Sequence, residues 1–252
     1  MHLTERSDPD APSLITHVET TSGPTADGAV VGCIHETLKQ RDLLPRIHLV
    51  DMGYVDAELL VTSQQEYGVD LYGPARADYH QQAQAGGGFA AQQFRIDWEA
   101  QHAICPAGCR SISWTPAVDR RTNDVIKLKF ATTDCSVCAH QSACTDSTPP
   151  RRTLTIRPKD QYQALLSARE RETSIAFKEQ YGLRSGIEGT LSQGIRAFEM
   201  RRSRYIGLAR THLQHVLTAT AMNLVRVSLW LSDTPRAKTR QSAFQRLIAS
   251  AA

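Results

Sequence analysis

The order of hydrophobic and polar positions changes character twice along this chain. Residues 14–21 alternate apolar and polar side chains, the period of a strand, and Gly23-Pro24 closes the run. Residues 7–13, rich in Ser, Asp and Pro, read as a turn before it. Residues 27–41 place Ala29, Val30, Val31, Ile34 and Leu38 at helical spacing, and Leu43-Leu44-Pro45 ends that element. Residues 46–51 are a short apolar run that predicts a buried, parallel strand ending on Asp51. Gly53 supplies a turn, and Asp56 is placed to cap a helix carrying Ala57, Leu59, Leu60 and Tyr67. Residues 69–74 predict a further short strand. Strands and helices in alternation are an α/β signature, in which functional groups sit at the carboxyl ends of strands, as Asp51 does.

Residues 76–157 lose that rhythm. Residues 81–93 are rich in Gln, Ala and Gly and read as a flexible or hairpin segment. Residues 94–98, 111–114 and 125–130 then alternate like strands, so a small β-rich insertion is expected, bounded by Pro149-Pro150. The last third is helical. Pro158 opens a helix with Tyr162, Leu165, Leu166 and Ala168. A final helix over 205–230 carries Ile206, Leu213, Val216, Leu217, Met222, Leu224 and Leu229, and a polar tail that is expected to fray follows. The expected organisation is therefore 1–75, 76–157 (the insertion), 158–232 and the tail 233–252.

Between the last two helices lies the most informative stretch. Laid on one helix, Tyr181, Arg184 and Glu188 fall at i, i+3 and i+7 and share a face. Leu183, Ile187, Leu191, Ile195 and Phe198 form an apolar stripe beside it, fit to dock on a core and leave Glu188 at the edge of a cleft. Gly182, Gly186, Gly189 and Gly194 interrupt the same segment. Each costs a helix interior about 1 kcal/mol relative to Ala, so close approach by another backbone or a ligand is expected. A plain surface pair between Arg184 and Glu188 is the alternative.

Composition adds limits. Apolar residues make up 41% and charged residues 22%, as in a soluble globular protein, and the net charge of +3 does not by itself argue for nucleic acid. The distribution does: Arg196, Arg201, Arg202, Arg204 and Arg210 follow Glu188, and Arg151, Arg152, Arg157 and Lys159 precede it. An ordinary solvated helix face is the competing explanation. The first residues are polar, and the charge-free run 211–225 is too short and too polar for a membrane span. A cytoplasmic protein with reduced thiols and no membrane partner is expected.

Five of the six cysteines fall in the insertion. Cys135-x2-Cys138 is a two-thiolate hook. Cys144, or Cys105 and Cys109 across a hairpin, can complete a tetrahedron for a structural Zn2+, which favours four thiolates and can hold together an insertion with little core. His102 and His140 are further candidates, and unrelated reduced thiols are the alternative. The expected set is Cys105, Cys135, Cys138 and Cys144, with Cys109 as the alternative ligand. Asp51 and Glu188, two acids on an α/β scaffold among basic side chains, suggest a divalent metal acting on phosphates. Asp51 could equally be a turn-forming residue before Gly53.

Several ordered blocks then carry a resemblance. Tyr181, Arg184 and Glu188 form Tyr-x2-Arg-x3-Glu. His48-Leu49-Val50-Asp51-Met52-Gly53-Tyr54 surrounds the earlier acid, Ser203-Arg204-Tyr205-Ile206-Gly207 follows the glutamate, and the cysteine-bearing insertion lies between. The chain resembles the DDE transposases of bacterial insertion sequences, in the branch with this motif. The resemblance implies an RNase H-like mixed sheet with helices, interrupted by the insertion, and Mg2+- or Mn2+-dependent cleavage and strand transfer of double-stranded DNA, both transposon ends and target. It casts Asp51 and Glu188 as metal ligands, and Tyr181 and Arg184, with Arg201, Arg202 and Arg204, as DNA-positioning residues. It leaves room for a homo-oligomer. The family's first catalytic aspartate lies just upstream of a segment like His2-Leu3-Thr4-Glu5, and no residue here takes that role; Asp8 and Asp10 lie in a Pro-flanked turn past it. The expectation is thus an N-terminally truncated transposase, inactive alone. A non-catalytic DNA-binding remnant and a zinc-ribbon interaction module are the alternatives.

Overall fold

The computed structural model describes residues 1–8, 10–76, 82 and 88–234. Most of the Gln/Ala/Gly-rich segment and nearly all of the polar tail lie outside the described residues. The chain divides into two compact units, Met1–Gly53 with Ser174–Ala252, and Tyr54–Thr173.

In the first unit, β1 (His2–Glu5) and β2 (Ile15–Glu19) form an antiparallel hairpin, with Leu3 opposite Val18. Helix α1 (Val31–Gln40), entered through a short 3-10 turn, buries Val31, Ile34, His35 and Leu38, the i, i+3, i+4, i+7 pattern of one face. Strand β3 (Ile47–Leu49) precedes Asp51. It is less enclosed than its apolar run suggests: Ile47 is exposed, and Val50, just past the strand, is the buried residue.

In the second unit, α2 (Ala57–Tyr67) starts where expected. The Asp56 carboxylate accepts the Glu58 N–H at 3.0 Å, and Gly68 ends the helix with φ +68°, a left-handed conformation a side chain would resist. Strand β4 (Asp70–Tyr72) follows. The alternating runs at 94–98, 111–114 and 125–130 each fall on or beside a strand. β5 (Arg95–Asp97) pairs with β6 (His102–Ile104), and β7 (Ser113–Val118), β8 (Asp124–Lys129) and β9 (Thr153–Ile156) make an antiparallel sheet. Two short helices, α3 (Thr132–Ser136) and α4 (Gln141–Cys144), lie between β8 and β9. The core is Phe94, Ala103, Leu128, Phe130, Leu154 and Ile156, with Trp98, Trp114 and Tyr162 against it. Helix α5 (Lys159–Glu172) begins after Pro158.

The described strands make separate small sheets rather than the single mixed sheet expected. No helix among the described residues is long and apolar enough to cross a membrane.

The first unit is completed by α6 (Ile175–Gly182), α7 (Ser185–Phe198) and α8 (Leu208–Leu231). Residues 181–188 are thus not one helix. Leu183 and Arg184 keep right-handed helical dihedrals, but the N–H groups of Leu183, Arg184, Gly186 and Ile187 bond three residues back, which tightens the chain into a turn. The Tyr181–Glu188 face is broken there. Nor is the apolar stripe the deepest part of α7. Leu183 is exposed, whereas Thr190 and Gly194 are buried. A Cβ on Gly194 would stand 2.6 Å from Met200 Cε, and one on Gly186 would stand 3.1 Å from Glu5 Oε1, so close approach explains those two glycines. Nothing within 4 Å explains Gly182 or Gly189.

Helix α8 also turns a different side inward. Ala219 and Met222 are buried and pack with Ile15, while Leu213, Leu217, Leu224 and Leu229 are exposed and Ile206, before the helix, is 94% exposed. Apolar residues occur all round this helix, so hydrophobicity alone does not choose a face. Polar anchors do. The Asn223 amide accepts from Ile15 N–H at 2.8 Å and donates to Ile15 C=O at 2.9 Å, fastening α8 to the start of β2.

Candidate metal and nucleic-acid site

Within the first unit, the structure brings Asp51, Arg184 and Glu188 together. Asp51 follows β3, held by buried Val50. Its Oδ1 accepts the Met52 N–H at 2.8 Å, so Asp51 does shape its own turn. Oδ2 faces Arg184, 3.6 Å from Nη2. Glu188 lies in the first turn of α7, where the helix dipole favours an anion, and its Oε1 accepts from Arg184 Nη1 at 3.2 Å. One guanidinium therefore serves both carboxylates. The two acids are 59% and 63% exposed, so water and salt reach them, and the ion pairs contribute little stability. Two residues after Asp51, a Cβ on Gly53 would stand 2.6 Å from Asp27 Oδ2, so the Asp27 side chain packs close against this turn.

Tyr181 stacks on Phe177 with ring centroids 5.4 Å apart. A groove of about 600 Å³ runs along α7 from Met1, lined by Glu188, Leu191, Ser192, Ile195, Arg196, Met200 and Arg201. It puts Glu188 and Arg201 on one surface. Arg202 is exposed. Arg204 donates to Glu199 at 2.8 Å, and Glu199 is held below the usual carboxylate range by that bond and that charge. Arg202 C=O and Arg204 N–H both bond the Gln214 side chain, which fixes this basic turn to α8.

Behind the site lies a polar cluster that composition and spacing did not disclose. Glu5 of β1 and Arg226 of α8 form a buried ion pair at 3.2 Å. The Thr190 hydroxyl donates to Glu5, and Arg226 donates to Thr190 Oγ1 at 2.6 Å, to Gln193 Oε1 and to Ser13 C=O. It ties the hairpin, α7 and α8 together. Only a charge at the inward α8 position, Arg226, could have signalled it. His35 and His48 form a second buried contact, Nε2 to Nδ1 at 3.0 Å. Burial, and then the charges of His35 and His17, push His48 down to about 4; burial also lowers His35 and His17.

In the second unit, all five insertion cysteines line one cavity of about 30 Å³ with Phe89, Phe130 and Arg152. Cys105 and Cys109 lie on a turn after β6 that Gly108 allows at φ +88°, and the Cys109 N–H donates to Cys105 Sγ at 3.3 Å. Burial pushes the Cys109 and Cys144 thiols up. His140 packs edge-on against Phe89 and, like His102, is outside the cavity lining. Among the described residues, no group of three or more His, Cys, Asp or Glu side chains is set to hold a metal ion as it stands.

Residues 104–228 match the family model of the transposase DDE domain. The match supports a DDE transposase. It covers Cys105, Cys109, Cys135, Cys138 and Cys144, Tyr181, Arg184, Glu188 and the basic turn; Asp51 lies upstream of it. No curated protein and no solved structure matches the chain.

Proposed function

We propose that the chain is the DNA-processing portion of a DDE transposase, with Asp51 and Glu188 as a carboxylate pair for a divalent cation and the neighbouring basic turn as a phosphate-binding surface. The observation that carries this is that two acids far apart in sequence meet at one guanidinium, Arg184. The matched domain supplies the reaction class.

The donor set fits the cation. Exposed carboxylate oxygens suit Mg2+ or Mn2+, which prefer oxygen ligands and keep part of their water. When bound, such an ion activates a water or 3′-hydroxyl and steadies the leaving oxygen of a phosphodiester. The chain's own residues do the rest. Arg184 orients the two carboxylates and offers charge to a phosphate oxygen. Arg201 and Arg202 hold the DNA backbone without reading sequence. Tyr181, stacked on Phe177, packs beside the sugar-phosphate chain. Two carboxylates alone hold a cation loosely, and turnover by this chain alone is expected to be low.

The test uses the full chain with a linear DNA duplex and a supercoiled plasmid, with Mg2+, with Mn2+ and with neither. Salt-sensitive duplex binding is expected, together with Mn2+ binding that Asp51→Asn and Glu188→Gln each weaken. Weak divalent-dependent nicking abolished by both substitutions supports the catalytic assignment. Failure to bind either DNA or Mn2+ would overturn the proposal.

A further inference from the structure

The strongest feature outside that site is the cysteine cavity of the second unit. Its pieces arrive from three places: the turn after β6 brings Cys105 and Cys109, α3 and its end bring Cys135 and Cys138, and the end of α4 brings Cys144. Neither α3 nor α4 has a buried residue of its own, and they are five and four residues long. Helices this short are marginal in water, and something other than helix propensity must hold them.

The five thiols are not equivalent. Cys105, Cys135 and Cys144 pack against the core cluster around Phe130 and Leu154, whereas Cys109 and Cys138 do not. Cys138 is joined to Cys135 by the two-residue spacing of the hook and by its own N–H, which donates to Cys135 C=O at 3.4 Å, so Cys109 is the odd one of the five. Arg152, buried against this cavity, donates to Cys144 C=O at 2.9 Å and so holds the end of α4 at the cavity.

We propose that this cavity is a structural zinc site held by the thiolates of Cys105, Cys135, Cys138 and Cys144, with Cys109 as a fifth cysteine that is not a ligand. A space of about 30 Å³ suits a single ion with no room for substrate. A divalent ion displaces the thiol protons and pulls the four sulfurs to about 2.3 Å. That closure fastens α3, α4 and the β6 turn to the β7–β9 sheet. Four thiolates select zinc over the oxygen-seeking Mg2+. The proposal stands independently of the carboxylate site.

The experiment measures metal in the full chain purified from zinc-supplemented cells, then titrates the stripped protein with Co2+ and records the thiolate-to-cobalt absorption. About one zinc per chain is expected, with a band of four-thiolate intensity. Cys109→Ser and Cys33→Ser should keep full zinc and the same band. Cys135→Ser and Cys144→Ser should each lower zinc occupancy at least tenfold under mild chelation. Should those two variants fail to fold, the Cys109→Ser protein and the cobalt spectrum of the native chain still decide. A native chain without zinc and silent towards Co2+ overturns the site. Loss of metal in Cys109→Ser, or its full retention in Cys144→Ser, overturns the ligand set.

Discussion

Arg226 lies 3.2 Å from Glu5, and both side chains are largely withdrawn from solvent. A buried pair of this kind is costly to break, because removing one partner strands the other charge. Glu5→Ala or Arg226→Ala is expected to cost about 3–5 kcal/mol. The double replacement Glu5→Leu with Arg226→Met should cost clearly less than the sum of the single changes. Thermal or urea unfolding of the four proteins checks this, and additive losses would show that the pair acts as two unrelated groups.

The glycines of α7 should respond in opposite directions. At Gly189 a Cβ meets nothing within 4 Å, so Gly189→Ala should stabilise by about 0.5–1 kcal/mol through helix propensity. At Gly194 the new methyl collides with the end of Met200, a flexible side chain, and the expected loss is about 1–3 kcal/mol. Comparing unfolding midpoints of the two variants is sufficient. Equal shifts would mean that α7 is not packed as described.

Stability should fall on mild acidification. His48, His35 and His17 all titrate below the ordinary histidine range when folded, so the unfolded chain binds more protons as pH drops. Their contribution is complete above about pH 6.5 and is lost progressively as pH falls towards 4, where His48 titrates. Urea midpoints at pH 7.5, 6 and 5 should be level and then decline. His48→Gln should flatten the profile, and an unchanged slope would remove His48 from the account.

DNA affinity should track the exposed arginines rather than base sequence. Arg201→Ala and Arg202→Ala should each weaken duplex binding for any sequence and reduce the slope of log affinity against log salt by about one. Arg204→Ala should also loosen its turn, because Arg204 is engaged with Glu199. Fluorescence anisotropy at several salt concentrations separates the two effects.

Some of this was readable beforehand for definite reasons. Asp56 starts α2 as expected because N-capping is local chemistry, decided within a few residues; Gly68, which ends the helix in a left-handed conformation, is an equally local signal that the pattern of apolar positions does not bring out. The strand character of the alternating runs at 94–98, 111–114 and 125–130 was visible in their period. The interruption between α6 and α7 was not, because Leu183 and Arg184 keep helical dihedrals and only the hydrogen-bond partners change. The inward face of α8 was hidden for another reason: leucines surround it, and the choice is made by Asn223 and Arg226 reaching Ile15 and Glu5, more than 200 residues away. The Tyr-x2-Arg-x3-Glu motif was legible as a pattern, whereas Arg184 meeting Asp51 is a tertiary fact.

The Arg184 bridge carries a consequence for cation binding. A guanidinium between Asp51 and Glu188 offsets only one of the two negative charges that, on the proposed function, would attract a divalent ion. On the proposed function, arginine and metal would compete for the same oxygens, and the cation's measured affinity would be its intrinsic affinity reduced by the work of turning Arg184 aside. A DNA phosphate, by offering the guanidinium another anion, would release the carboxylates. On that reading a phosphate and the ion would each ease the other's entry, with Arg184 as the latch they share.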